Sequence, residues 1–158
     1  MAIDIKNAAE LADAWKKMQR DVKKARPDLA LDGILVEKMA GKGVEIVIGA
    51  RRDASWGPTL MIGLGGVFTE AIRDVRFFPA DSHPSAIAEE MMKLRGAKLL
   101  AASRGEKPRD IEALADAVAR IGALMIATPN LEDIDVNPVI VYGEGEGVLA
   151  VDALLVGS

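Results

Sequence analysis

Half of the 158 residues are hydrophobic and 28% are charged, the balance of one globular domain over residues 1–158 that is large enough to bury a core unaided. With no cysteine and one histidine, His83, the chain has no disulfides, no thiolate chemistry and no histidine-rich metal centre. A net charge of -4 and 4% aromatic content supply neither the basic face nor the stacking platform of a nucleic-acid protein, and no apolar run reaches the length of a membrane span.

Met1 to Glu10 carries two acids and no apolar run, which is unlike a signal peptide, so a cytoplasmic protein is expected. Asn7 with Glu10 then forms a capping box. Leu11, Trp15, Met18 and Val22 follow at helical spacing, and the helix should stop before Arg26-Pro27. Lys16, Lys17, Lys23 and Lys24 fall on its solvated side. Gly33 to Met39 reads as a strand, Ala40-Gly-Lys-Gly43 as a short connection, and Val44 to Ala50 as a second strand. A polar loop from Arg51 to Pro58 leads to a strand over Thr59 to Ile62. After Gly63-Leu-Gly-Gly66, further short strands are expected at Val67 to Ala71 and Val75 to Phe78.

Two helices come next. Ser82 or His83 caps one that Pro84 opens, with Ile87, Met91 and Leu94 on one side. Asp110 caps the other, striped by Ile111, Leu114, Val118, Ile121 and Met125, and a polar loop from Gly96 to Arg109 separates the two. The last pair of apolar runs, Ile134 to Val141 and Val148 to Leu155, flanks Tyr142-Gly-Glu-Gly-Glu-Gly147 and reads as a β-hairpin. Helix, strands, two helices and two strands in that order predict an α+β fold with a mostly antiparallel sheet flanked by helices.

The hairpin carries the strongest chemical signal. With Asn137 opposite Asp152, one face holds Ile134, Val136, Ile140, Leu149, Val151 and Leu155, and the other holds Asp135, Asn137 and Asp152. A slip of one residue turns Asp152 into the core, so burial selects this register. A carboxylate and an amide oxygen on adjacent strands are hard ligands that suit Mg²⁺, which keeps several water or phosphate oxygens of its own. Taken alone, the Asp-x-Asn-Pro pattern fits a solvated hairpin face better than a metal site.

Taken alone, Glu37 and Glu45 fit ordinary exposed strand residues better than acceptors for an adenine amino group and ribose hydroxyls, a reading that would also turn the backbone near Ala40 to the base edge. The glycine cluster lacks the P-loop lysine and serine and the dinucleotide spacing, and serves as well for a turn as for a phosphate contact. Arg51, Arg52, Arg73, Arg76 and Arg104 are candidate phosphate partners. Arg73, next to the glycine cluster, ranks first and is the one catalytic candidate. His83 is read as a helix cap and not as a catalytic or phosphorylated histidine.

Taken together and in order, several runs resemble the carboxy-terminal half of an ATP-grasp domain of the NDP-forming acyl-CoA synthetase family, and more distantly the succinyl-CoA synthetase β subunit. These are Gly33-Ile-Leu-Val-Glu37-Lys-Met39, Gly43-Val-Glu45-Ile-Val-Ile-Gly49, Arg52-Asp-Ala-Ser-Trp-Gly-Pro58, Gly63-Leu-Gly-Gly-Val-Phe-Thr-Glu70, Ile72-Arg-Asp-Val75, Arg104-Gly-Glu106 and Asp133-Ile-Asp-Val-Asn-Pro138 with Val151-Asp152. The resemblance implies that Glu37 and Ala40 contact adenine, that Glu45 contacts the nucleotide at the ribose, and that Asn137 and Asp152 hold Mg²⁺. It implies ATP or another nucleoside triphosphate as cofactor, and an acid–CoA ligation through an acyl phosphate and a phosphohistidine that His83 does not match. It also implies partners that this sequence does not include: the other ATP-grasp lobe, with its lysine and glycine-rich loop, and the CoA-binding domains or subunit. The chain alone is then expected to be inactive, and its exposed cleft face makes a homo-oligomer an open expectation. A free-standing nucleotide-binding or interaction module without catalysis is the alternative.

Overall fold

A computed structural model describes residues 1–66, 74–102, 105 and 107–158. The chain divides into two compact units, Met1–Met39 and Ala40–Ser158.

The first unit is built on helix α1, Ala8–Ala25. Its start is the expected capping box: the Asn7 side chain accepts from the Glu10 amide at 3.0 Å, and Glu10 in turn accepts from the Lys6 amide at 2.8 Å. The helix ends one residue before Arg26-Pro27, as the proline requires. None of its residues is buried. Gly33 to Met39, expected as a strand, has no strand pairing, and Leu35, Val36 and Met39 are exposed. A strand is defined by a neighbour's backbone, and the first unit has no other strand to pair with it.

The second unit is a six-stranded antiparallel sheet with helices on one face. Its strands are β1 (Val44–Asp53), β2 (Gly57–Leu64), β3 (Val75–Pro79), β4 (Leu131–Val141), β5 (Val148–Ala150) and β6 (Ala153–Gly157). They lie in the order β3-β2-β1-β4-β5, with β6 also paired to β4. Among the described residues its helices are α2 (Pro84–Met91) and α3 (Ile111–Ala127), with a short 3-10 turn at Ala97–Leu99 between them. The α+β expectation holds. The strand expected at Val67 to Ala71 lies outside the described residues.

The core lies between the helices and one face of the sheet. Ile46, Ile48, Leu60, Ile62, Ile134 and Val136 pack with Ile87, Met91, Leu114, Val118 and Met125. Gly122 lets α3 approach closely, because a Cβ there would collide with the Ala80 carbonyl oxygen. Full burial of each large side chain contributes about 1.5–3 kcal/mol, more than any single polar contact in the fold.

Strands β1 and β2 run further than expected, so the loop from Arg51 to Pro58 shrinks to a tight turn. Asp53 pairs with Gly57, and the Asp53 carboxylate accepts from the amides of Ser55 (2.8 Å) and Trp56 (2.9 Å). The arginines lengthen β1 because both find partners. Arg51 pairs with Asp133, while Arg52 crosses to the end of α3 and donates to the carbonyls of Met125, Thr128 and Leu131.

Asp110 ties α3 to the terminal hairpin. One carboxylate oxygen caps the helix at Ala113 N (3.1 Å), and the other accepts from the amides of Gly145 (3.0 Å) and Gly147 (2.9 Å). These bonds to the charged form, the Gly147 amide first, hold its carboxyl below the usual carboxylate range. A folded-state pKa below the unfolded value stabilises the fold above the unfolded pKa of about 3.9, and that stability is lost as pH falls through the folded value. Asp110→Asn should therefore cost about 1 kcal/mol at neutral pH, and the gap to wild type should narrow on acidification. Urea midpoints at pH 7 and pH 3 test this; an equal gap at both would show that the charge of Asp110 does no stabilising.

Candidate functional site

Because successive strand residues face opposite ways, the core-facing set leaves Glu45, Val47, Gly49 and Arg51 of β1 on the open face of the sheet. The register continues this face across the neighbouring strands. Gly49 lies opposite Met61 on one side and Asp135 on the other, and Met61 lies opposite Phe77. Arg51 lies opposite Thr59 and Asp133.

The hairpin register is the expected one. Val139 pairs with Ala150 and Val136 with Ala153, so Asn137 stands opposite Asp152, and the Asn137 amide donates to the Asp152 carbonyl at 3.1 Å. Asn137, Asp135 and Asp152 are all exposed.

The distribution of apolar residues needs correction. Between Ile46↔Val139 and Ile48↔Val136, β1 has one residue, Val47, where β4 has two, Asn137 and Pro138. This bulge reverses the alternation of β4, so Val139 and Val141 enter the core in place of Ile140. Leu149, Val151 and Leu155, expected on the apolar face, are exposed.

The donor set fits a divalent cation of the Mg²⁺ type. No hydrogen bond engages the Asn137 or Asp135 side chain among the described residues. Asp152 uses one oxygen on the Ala153 amide at 2.8 Å, which leaves the other free. The described residues hold no cluster of three or more acids and histidines placed to ligate a metal. Two neighbouring oxygen donors suffice for an ion that fills its sphere with water and phosphate oxygens.

Glu45 is exposed at one end of the open face. The glycine cluster serves it: the Gly65 amide donates to the Glu45 carbonyl at 2.7 Å, and a Cβ on Gly65 would come within 2.9 Å of Glu45 backbone. Gly66, at φ +65°, lies against the Glu45 carboxylate. Glu37 belongs to the first unit, where it lines a hollow of about 500 Å³ between α1 and the segment Ile34 to Met39. Ala40 opens the second unit, four residues before β1 and three before the Gly43 approach to Ile140.

The described candidate phosphate arginines, Arg51, Arg52 and Arg76, do not converge. Arg51 is held by Asp133 at 2.6 Å, Arg52 by the end of α3, and Arg76 by Glu90 at 2.7 Å. Each serves the fold, because an exposed guanidinium beside a carboxylate or a helix end is already satisfied. Arg73 and Arg104 lie outside the described residues. His83 is the helix cap it was read to be, with Nδ1 accepting from the Ser85 amide at 3.3 Å.

What sequence reasoning did not find is a groove on the same face, of about 830 Å³, walled by Trp56, Met61 and Phe77 and reaching Asp135 and Asn137. Met61 and Phe77 are two strand positions that alternation places beside Gly49. Their signal was present but unread, since a lone aromatic on a strand more often faces the core. Removing the His83 cap should cost about 0.5–1 kcal/mol with no effect on the site. Thermal unfolding of His83→Ala measures this, and a change in nucleotide affinity in the same variant would contradict the purely capping role.

Comparison with known proteins accords with this geometry. Residues 1–156 match the ATP-grasp domain. The chain is 37% identical over 153 residues to a trans-feruloyl-CoA synthase of an unknown prokaryotic organism, covering 97% of this chain and 22% of that protein. It is 36% identical over 154 residues to the β subunit of an ADP-forming acetate–CoA ligase of Pyrococcus furiosus, covering 98% of this chain and 66% of the relative. Among solved structures, an acetyl-coenzyme A synthetase of Ca. Korarchaeum cryptofilum, in complex with coenzyme A and Mg-AMPPCP and with its phosphohistidine segment pointing towards the nucleotide binding site, superposes with a TM-score of 0.82 at 36% identity over 99% of this chain and 67% of that one. The same enzyme with coenzyme A, acetyl-coenzyme A and a phosphorylated phosphohistidine segment superposes with a TM-score of 0.85 at 39% identity over 99% of this chain and 69% of that one. The chain therefore spans from about a fifth to two thirds of these relatives, and it belongs to the ATP-grasp domain family.

Proposed function

We propose that this chain is the nucleotide- and Mg²⁺-binding lobe of an NDP-forming acyl-CoA synthetase, active only when joined to the second ATP-grasp lobe and the CoA-binding domains. The observation that carries this reading is the pairing of Asn137 with Asp152 on the open face of the sheet, with their oxygens directed away from the core. A pure scaffold has no use for an amide and carboxylates that a bulge keeps on one face.

In this reading Glu45 accepts from the ribose hydroxyls, and Glu37 with the backbone at Ala40 contacts adenine. The triphosphate then runs along the face to Asn137 and Asp152. Asn137 and Asp152 would hold a divalent cation there, which would supply charge neutralisation at the terminal phosphates. Asp152 would contribute a formal charge to that ion and Asn137 a dipole, with Asp135, one strand step further, as a water-mediated ligand. The acceptor is a histidine of another domain, a reading supported by the phosphohistidine segment of the solved relative. The N–P bond forms as the bond from phosphorus to the bridging oxygen breaks, and the nucleoside diphosphate leaves with the electron pair. Phosphoryl transfer from this histidine to the acid gives the acyl phosphate that CoA consumes.

Glu37→Ala and Glu45→Ala should each weaken nucleotide binding to the complete enzyme by about 0.5–1.5 kcal/mol while leaving the fold intact. Calorimetric titration with a non-hydrolysable ATP analogue tests the pair; unchanged affinity in both removes the adenine–ribose assignment.

Asp152→Ala should lower phosphoryl transfer more than Asn137→Ala, with losses on the order of a hundredfold, and should raise the Mg²⁺ concentration needed for half-maximal rate. Rates measured across a Mg²⁺ titration decide it. Wild-type rate and Mg²⁺ dependence in Asp152→Ala would place the metal elsewhere. The isolated chain should make no acyl-CoA from acid, CoA and ATP, and turnover above a blank would contradict the assignment to one lobe.

A further inference from the structure

Strand β2 ends its regular pairing with β1 at Leu64, opposite Ile46, and the two glycines that follow close around Glu45. The Gly65 amide donates to the Glu45 carbonyl at 2.7 Å, which extends the ladder by one bond. A Cβ on Gly65 would stand 2.9 Å from both the carbonyl carbon and the Cβ of Glu45, and neither atom can swing aside. Gly66 then turns into the left-handed region at φ +65°, where a Cβ would lie 3.1 Å from Glu45 Oε2. Among the described residues, that Cβ would meet nothing within 4 Å except the Glu45 carboxyl group. Both glycines are fitted to one side chain.

This fit decides between the two uses of the glycine cluster that the sequence left open. A phosphate is poorly served here, because the Gly65 amide is committed to a carbonyl and an anion beside Gly66 would stand against a carboxylate. A polar ligand of Glu45 is well served. An exposed glutamate on a strand has several rotatable bonds and loses their freedom when it engages a ligand; a turn that closes one flank removes part of that loss in advance. The carboxylate itself stays available, since no hydrogen bond or ion pair engages it among the described residues. It is a pure acceptor, and its two oxygens complement two vicinal hydroxyls, so that removal of either hydroxyl leaves an acceptor without its donor. Resting on the ribose contact read above for Glu45, we propose that the Gly65-Gly66 turn is a positioning element that sets the Glu45 carboxylate for a ribose diol and makes this lobe select ribonucleotides over deoxyribonucleotides. Gly65 and Gly66 act through Glu45: the first fixes its backbone and Cβ, and the second leaves the space in which its carboxylate stands.

The test measures binding to the complete enzyme of β,γ-methylene-ATP and of its 2′-deoxy and 3′-deoxy counterparts. Four variants are compared with wild type: Glu45→Ala, Gly66→Ala, Gly66→Asn and Gly57→Ala. Asparagine tolerates the left-handed region better than alanine and still carries a Cβ, so it keeps the test open where Gly66→Ala fails to fold. Gly57, at φ +72° with nothing within 4 Å of its Cβ position, carries the same backbone strain at the far end of β1. Wild type is expected to bind the ribonucleotide about threefold to tenfold more tightly than at least one deoxy form. Glu45→Ala and both Gly66 variants should reduce that preference to less than about twofold, with affinity for the deoxy form within about twofold of wild type, while Gly57→Ala keeps the full preference. A preference that survives in the Gly66 variants and vanishes in Glu45→Ala overturns the proposal and leaves the ribose contact standing. An equal fall in affinity for all three nucleotides in the Gly66 variants overturns it too, as does loss of the preference in Gly57→Ala, which assigns the effect to backbone strain. No preference in wild type, or one that persists in Glu45→Ala, overturns the ribose contact itself, and is read before any glycine is changed.

Discussion

A sheet that packs one of its faces on two helices dictates where everything else in the second unit stands. Ile46, Ile48, Leu60, Ile62 and Val136 must lie under α2 and α3, and each contributes more to stability than any polar contact opposite. With a side-chain period of two, anchoring those residues leaves Glu45, Gly49 and Asp135 no choice but the open side. The candidate site is therefore positioned by the core beneath it and not by bonds among its own members, which is consistent with Asn137 and Asp135 having no side-chain partner among the described residues.

The exception to strict alternation is as informative as the rule. Asn137 and Pro138 together oppose Val47, so β4 can place Asp135 and Asn137 outward and still return Val139 and Val141 to the core. The second strand answers in kind: it breaks between Ala150 and Ala153, where Val151 and Asp152 stand opposite Pro138 and Asn137. Both proposed ligands thus sit at an interruption in the pairing. There the backbone has turned its polar groups to a neighbour, and the side chains need not interlock with others.

Features governed by local chemistry were readable from the sequence. Asn7, His83 and Asp110 were identifiable as caps because a side-chain acceptor, a following helical stripe and, for α2, a proline all lie within a few residues. The register of the terminal hairpin was readable because a slip buries Asp152. What failed depended on groups distant in the chain. Arg51 and Arg52 look like loop residues until Asp133 and the last turn of α3 arrive beside them. The alternation of Ile140, Leu149 and Val151 could not be extrapolated through a bulge whose opposing residue is 90 positions earlier (Val47 to Asn137). Gly33 to Met39 carries a strand's composition but finds no strand to pair with among the described residues, and the groove depended on Met61 and Phe77 meeting across two strands.

The reach of Arg52 across to α3 bears on how this chain can vary. Many helices close on a glycine in the left-handed region that lets the last carbonyls bond to following amides. α3 instead ends at Thr128 with its final carbonyls met by a guanidinium from β1, a cation where the helix dipole is negative. The chain reversal at Pro129 and Asn130 is thereby relieved of any need for a special backbone conformation and is free to drift in sequence. The burden of ending the helix moves to position 52. Lysine keeps the charge there but lacks the planar fork that serves three carbonyls at once, so a substitution conservative by charge is not conservative by geometry.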